Sequence, residues 1–273
     1  MDSEKKLKTK EEKANEKEQI LAKRRKHNMK LYPIYIMMGF DLLFFYGIRV
    51  MFFSQVKGFT NAQIMLSSSL YAIFTVALQL PATLIVTKVG KKYGAILGNI
   101  FNCLCMISMF FINNFIGLTI AQCISAVGLA LKNVSDANIL SSSIPEGENA
   151  SDTFTKIDKV AYSRYCFMSA ATTVFAGYIY DVNPYIPICL CLVSCLIATF
   201  IAFNFSDIEE PKKNKIILKD YLKEFKQAMK FTVNSKRLRA LLLTTGVAWG
   251  IITLIDVYQL ALLQEIGTSS FII

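Results

Sequence analysis

Pro81-Ala-Thr-Leu-Ile-Val-Thr-Lys-Val-Gly-Lys-Lys-Tyr-Gly94 joins the end of one long apolar segment to the start of another. Three lysines, Lys88, Lys91 and Lys92, crowd the junction, with Gly90 between them. A chain that leaves a bilayer and re-enters it must reverse within a few residues, and Gly90 and Gly94 permit this because they lack a Cβ. Short basic loops resist translocation. The lysines therefore hold this turn on the cytoplasmic side and orient the segments before and after it.

The rest of the chain fits a membrane setting. Its 273 residues are 53% hydrophobic and 12% aromatic, with a mean hydropathy of +0.41, which excludes an ordinary soluble domain. From Leu31 onward, apolar segments lie near 31–54, 62–87, 94–112, 116–143, 159–180, 185–205 and 238–263. Each has the roughly 20 residues needed to cross a hydrocarbon core of about 30 Å, so seven spans are expected.

A net charge of +10 would suggest nucleic acid on a compact polar domain. Here Lys and Arg gather in the first 30 residues, the 88–92 turn, the 145–158 loop with Lys159, and the 206–239 connector; only Arg49, Lys57, Lys132 and Arg164 lie elsewhere. That asymmetry puts the N-terminus and these loops in the cytoplasm. No nucleic-acid partner is expected.

Residues 1–30 form a charged tail without the apolar core of a cleavable signal peptide. With nothing to bury, the tail is expected to stay solvated. Its run Lys23-Arg-Arg-Lys26 reads as an anchor against anionic headgroups. Residues 31–205 carry six of the expected spans. Residues 206–237 form a basic connector in which Ile217, Leu218, Tyr221, Leu222, Phe225, Met229 and Phe231 recur near helical spacing, the pattern of an amphipathic helix on the cytoplasmic interface. Residues 238–273 hold the last span. All seven cysteines fall in apolar segments and read as small hydrophobes. Cys103-x-Cys105 and Cys189-x-Cys191 place their thiols about 200° apart on a helix, so neither disulfides nor a metal site is expected.

The basic turn resembles a signature of the major facilitator superfamily: Gly, three residues, Asp-Arg, one residue, Gly, then two basic residues. The matching positions are Thr83, Thr87, Lys88, Val89, Gly90, Lys91 and Lys92. Gly90 and the basic residues match, while Thr83 and Thr87 replace the family's first glycine and its aspartate, which latches the two transporter halves. Three further runs are similar to the family: Gly128-Leu-Ala-Leu-Lys132, though Ile124 stands where an arginine usually precedes it; Arg164 followed by Ala176-Gly-Tyr-Ile-Tyr180; and Tyr258-Gln-Leu-Ala-Leu-Leu-Gln-Glu-Ile-Gly267.

Over residues 31–273 the resemblance implies an all-α membrane protein: a six-span helical bundle, an interfacial connector, and the first span of an incomplete second half. The family pattern runs for about five more spans than this sequence contains. A missing C-terminal half or a second copy is therefore expected as a partner.

Charge at bilayer depth costs at least ~2.5–3.5 kcal/mol, so ionisable residues within spans are functional candidates. They are Asp41, Arg49, Lys132, Asp136, Arg164 and Asp256. Asp136 and Arg164 come out at similar depth on consecutive spans and are expected to pair, as a structural tie or as part of a gate. Lys132, one turn from Asp136, is the better candidate for touching an anionic group. Asp41 lies mid-span, where a carboxylate out of water can load and release a proton; capping a hydrogen-bond network is the plainer role. Arg49 lies about 80° round the helix from Asp41 and reads as a snorkelling residue. Trp249 is placed to line a cavity, while Tyr46 and Tyr258 more naturally mark the interfaces. His27 carries no chemistry.

There is no Gly-x4-Gly-Lys-Ser/Thr loop, no His-Glu-x-x-His and no Gly-x-Ser-x-Gly elbow, so neither ATP-powered transport nor an enzyme is expected. No cofactor is implied. The sequence points to secondary active transport of a small organic solute by alternating access, coupled to protons and possible as efflux, in the lipid bilayer of the plasma membrane. The alternatives are a seven-span receptor, which an inside N-terminus leaves without a cytoplasmic C-terminal tail, or an inactive transporter remnant.

Overall fold

The computed structural model describes residues 2–147, 149–208, 223, 226–227 and 230–265; side chains are described from residue 15 to residue 252 of that set, Trp249 excepted, and at Ile255. Among the described residues every regular element is helical.

Helix α1 (Asp2–Gly39) takes in the charged tail. From residue 15, where its side chains are described, the tail is mostly exposed, and its last turns find partners. Asn28 is buried and donates to the Ser206 carbonyl at 2.8 Å, while Ser206 N–H donates back to Asn28 Oδ1 at 2.9 Å. Arg24 donates to the Asp207 carbonyl at 3.2 Å.

The expected span 31–54 is not one helix. After Gly39 the backbone is irregular through Ile48, then forms a short helix α2 (Arg49–Met51) and a π-helical turn (Phe52–Val56). Asp41 explains the break: its Oδ1 accepts the N–H of Leu42 at 2.7 Å, a local bond that competes with the helix ladder. Phe44 follows with a φ of 66°, which no helix accommodates. Gly39 meets α7 (Ile186–Phe203) so closely that a Cβ there would lie 2.7 Å from Ala198 Cβ.

Helix α3 (Asn61–Val89) opens on a capping box in which Thr60 Oγ1 accepts from Gln63 N–H and Gln63 Oε1 from Thr60 N–H. It closes at Gly90, whose φ of 97° suits glycine alone. Helix α4 (Lys91–Phe111) starts at once, so the basic turn reverses the chain as its sequence requires. Helix α5 (Phe115–Ser143) begins with Asn114 accepting from Gly117 N–H at 2.7 Å. Helix α6 (Ala150–Val182), α7 and α8 (Lys236–Glu265) complete the order.

Among the described residues four helices, α3, α4, α5 and α7, are long and apolar enough to cross a membrane. Of the other three expected spans, 31–54 is broken at Asp41, 159–180 lies within α6 with Lys159 and Arg164 inside it, and 238–263 lies within α8, whose side chains are described only in part. Of the connector residues expected to form an interfacial helix, Ile217, Leu218, Tyr221, Leu222, Phe225 and Met229 lie outside the described residues; Phe231 is exposed.

Helix α4 packs between α5 and α7, α1 against α6, α7 and α5, and α3 against α5. Lipid tails are as apolar as leucine, so such packing depends on close approach rather than on exclusion of water. Gly98 and Gly128 supply it between α4 and α5, since a Cβ on either would lie 2.9 Å from the other's carbonyl oxygen. One apolar core gathers Phe45, Phe52, Phe53, Met106 and Leu118; a second gathers Tyr35, Ile36, Ile96, Leu140 and Phe205. Lys57 sits at the end of α4 opposite the 88–92 turn, donating to the Phe110 carbonyl at 3.2 Å; burial holds its pKa below the usual lysine value.

Candidate functional site

The break in the first segment opens a cavity of about 220 Å³. Asp41, Arg49 and Phe45 line it from the irregular stretch and α2, Tyr71 from α3, Met109 from α4, and Gln122, Lys132 and Asp136 from α5. Four of the seven candidate site residues therefore meet in one place.

Lys132 is 2% exposed. Its Nζ donates to the Tyr35 hydroxyl at 2.9 Å and to Asn99 Oδ1 at 3.1 Å, and lies 3.3 Å from Asp136 Oδ2. An ammonium has three donors and no acceptor, and here all three are met. The Tyr35 hydroxyl donates in turn to Asp136 Oδ1 at 2.9 Å and accepts from Asn99 Nδ2 at 3.3 Å. The Lys132 charge also lies 4.7 Å from the Tyr35 ring centroid, within cation–π range. The group is a closed, neutralised network linking α1, α4 and α5.

The expected tie between Asp136 and Arg164 does not form. Asp136 is engaged by Lys132 and Tyr35, and Arg164 is exposed on α6. Being consecutive in sequence does not make α5 and α6 partners: both pack on α1, and α6 then continues onto α7 rather than onto the face of α5 that carries Asp136.

Asp41 and Arg49 remain outside the network. Asp41 Oδ1 holds Leu42 N–H, and the Tyr165 hydroxyl stands 3.5 Å from its Oδ2. Arg49 does not snorkel outward. The chain break removes the helical geometry behind that expectation, and its guanidinium lies over the Tyr46 ring, 5.4 Å from the centroid. Arg49 Nε is buried with no hydrogen-bond partner among the described residues.

The loop residues occupy a separate place. Thr87, Gly90, Lys91 and Lys92 border a second cavity of about 220 Å³, closed on the far side by Asn28, Ser206 and Asp207. Lys88 is exposed beside it. The side chains of Trp249 and Asp256 lie outside the described residues.

Sequence reasoning missed Tyr35 and Asn99, which hold Lys132 in place. Asn99 carried a usable signal, an amide in an otherwise apolar α4 turn; Tyr35 carried none beyond its hydroxyl.

Among the described residues no group of His, Cys, Asp and Glu could hold a metal ion. The arrangement offers an apolar pocket with one closed charge network, one carboxylate and one cation. A carboxylate in such a place can exchange a proton, and a guanidinium can hold an anion.

A family model described as Major Facilitator Superfamily matches residues 31–272. A comparison with curated proteins finds no match to the chain.

Proposed function

Because the chain belongs to the Major Facilitator Superfamily and is therefore a multi-pass membrane protein of a transporter family, we propose that it carries a small organic solute by alternating access, coupled to protons, with the cavity at the Asp41 break as the solute site. The observation that carries this reading is the convergence of Asp41, Arg49, Lys132 and Asp136 on one apolar cavity. Charges are expensive at that depth and are kept where they act on ions or solutes.

Within this reading the roles divide by partner. The Lys132–Asp136–Tyr35–Asn99 network is saturated and ties α1 and α4 to α5; it is the fixed wall. Asp41 sits on irregular backbone and is the proton-exchanging carboxylate. Residues 31–205 form a six-span bundle whose first span is the interrupted 31–54 segment, and the basic turn, connector and N-terminus face the cytoplasm of a cell in whose plasma membrane a proton gradient is available. Solute sites of this architecture lie between two bundles that rock against each other. The opposing wall is assigned to a C-terminal half or a second copy, packing where α8 exposes Leu243, Val247 and Ile251.

The test uses membrane vesicles from cells producing the protein, so that any partner is present. A pH-sensitive dye inside the vesicles follows proton movement on addition of a panel of organic acids, amines, sugars and short peptides. At least one class is expected to move protons above the level of vesicles lacking the protein. Solute entry that occurs equally with and without a pH gradient would overturn the coupling; no solute-dependent flux with any class would overturn the transport reading.

A further inference from the structure

Of the four charged residues in the cavity, three already have partners of opposite character or hydrogen-bond donors. Lys132 and Asp136 neutralise each other, and Asp41 accepts from Leu42 N–H and faces the Tyr165 hydroxyl. Arg49 is different. Its Nε is buried without a hydrogen-bond partner among the described residues, and the contact of its guanidinium is the face of Tyr46. A buried donor left unmet is costly, and Arg49 lines the cavity, where an acceptor would meet its guanidinium.

We propose that Arg49 is the anion-binding residue of this cavity, and that the solute is a monocarboxylate with an apolar or aromatic body. The proposal rests on the transport reading above and deepens it. A guanidinium presents a planar fork of donors that matches a carboxylate bidentately. A single charge follows from the count: among the described residues Arg49 is the cavity cation without a paired carboxylate, and Asp41 would repel a second negative group. The body follows from the other walls, since Phe45, Phe53 and Met109 border the same space. At about 220 Å³ the cavity suits a solute with one ring rather than a peptide or an oligosaccharide.

Benzoate, benzyl alcohol and benzylamine share one ring and differ in charge, and serve as probes. Thermal unfolding of the full chain in lipid nanodiscs is measured against each. Benzoate is expected to raise the midpoint in a concentration-dependent way, and the other two are not. Arg49→Gln is expected to weaken benzoate binding by roughly ten- to a hundredfold, as loss of a charge-assisted hydrogen-bonding group does. Arg49→Lys, which keeps the charge but loses the fork, is expected to fall between, and Arg164→Gln to match wild type. If Arg49→Gln does not fold, the ranking of the three probes on wild type and the Arg49→Lys result still decide. Benzylamine equal to benzoate on wild type, or full benzoate binding by either Arg49 variant, would overturn the proposal. The two readings fail separately: benzoate binding without flux of any solute removes transport and keeps the anion site, whereas proton-coupled flux of amines or sugars that Arg49→Lys leaves intact removes the anion site and keeps transport.

Discussion

Lys132 Nζ lies 3.3 Å from Asp136 Oδ2, one helical turn apart on α5, while the Tyr35 hydroxyl from α1 donates to the other oxygen of the same carboxylate at 2.9 Å. A buried ion pair is thereby closed by a third element. Truncating either charged partner strands the other in an apolar setting, at a cost of about 3–5 kcal/mol. Lys132→Met or Asp136→Leu alone is expected to lower the unfolding midpoint more than the double substitution, which leaves no charge behind. A double variant whose loss equals the sum of the two single losses would show that the two charges do not act as a pair.

Tyr35→Phe removes only an oxygen, but that oxygen accepts from Lys132 and Asn99 and donates to Asp136. Leaving these groups short of a partner is expected to cost about 1–3 kcal/mol. A double-mutant cycle with Asn99→Ala should give a coupling of about 0.5–3 kcal/mol rather than simple addition. Chemical denaturation in detergent measures both, and strict additivity would argue against the network.

Close packing of α4 on α5 gives a prediction that involves no charge. A Cβ at Gly98 would lie 2.6 Å from Lys132 Cγ and 2.9 Å from the Gly128 carbonyl. Gly98→Val is expected to destabilise by about 1–3 kcal/mol, the usual effect of overpacking, and to disturb the Lys132 network with it. Gly147→Ala is the control, since nothing lies within 4 Å of a Cβ there. The recovery of monodisperse protein and its unfolding midpoint are the readouts; equal behaviour of the two variants would rule out the tight crossing.

Orientation follows from charge and can be read by accessibility. In a cysteine-free background, cysteines introduced at positions 57 and 183 are expected to react with an impermeant thiol reagent from outside the cell, and a cysteine at 91 only after permeabilisation. Labelling of position 91 in intact cells would invert the topology and with it the side from which the cavity opens.

Much of this was legible along the chain, and the exceptions have physical causes. The reversal at Gly90 was readable because its determinants, a glycine and three lysines, are local. The Lys132–Asp136 pair was readable as an i,i+4 spacing on one helix face. The break in the first segment was not, because the apolar composition of residues 31–54 continues across it; what stops the helix is one carboxylate taking the N–H of Leu42. That break also brings Arg49 into the cavity with Asp41, against the angle calculated for an unbroken helix. The Asp136–Arg164 tie is absent because neighbours in sequence need not be neighbours in space: Asp136 is held by Lys132 and Tyr35, and Arg164 is exposed on α6. Tyr35 and Asn99 are not legible in the same way, because the neutral groups that satisfy a buried charge come from other helices and leave no charge pattern in the sequence.

The central claim, that Asp41 is the proton-exchanging group of the solute cavity, is tested most directly by separating solute exchange from proton-driven accumulation. In vesicles loaded with a transported solute, labelled solute exchanges inward without net proton movement, whereas uphill accumulation requires a pH gradient. Asp41→Asn is expected to retain the exchange and to lose accumulation, since a neutral amide can line the cavity but cannot carry a proton. Accumulation by Asp41→Asn equal to wild type under the same gradient would contradict the claim.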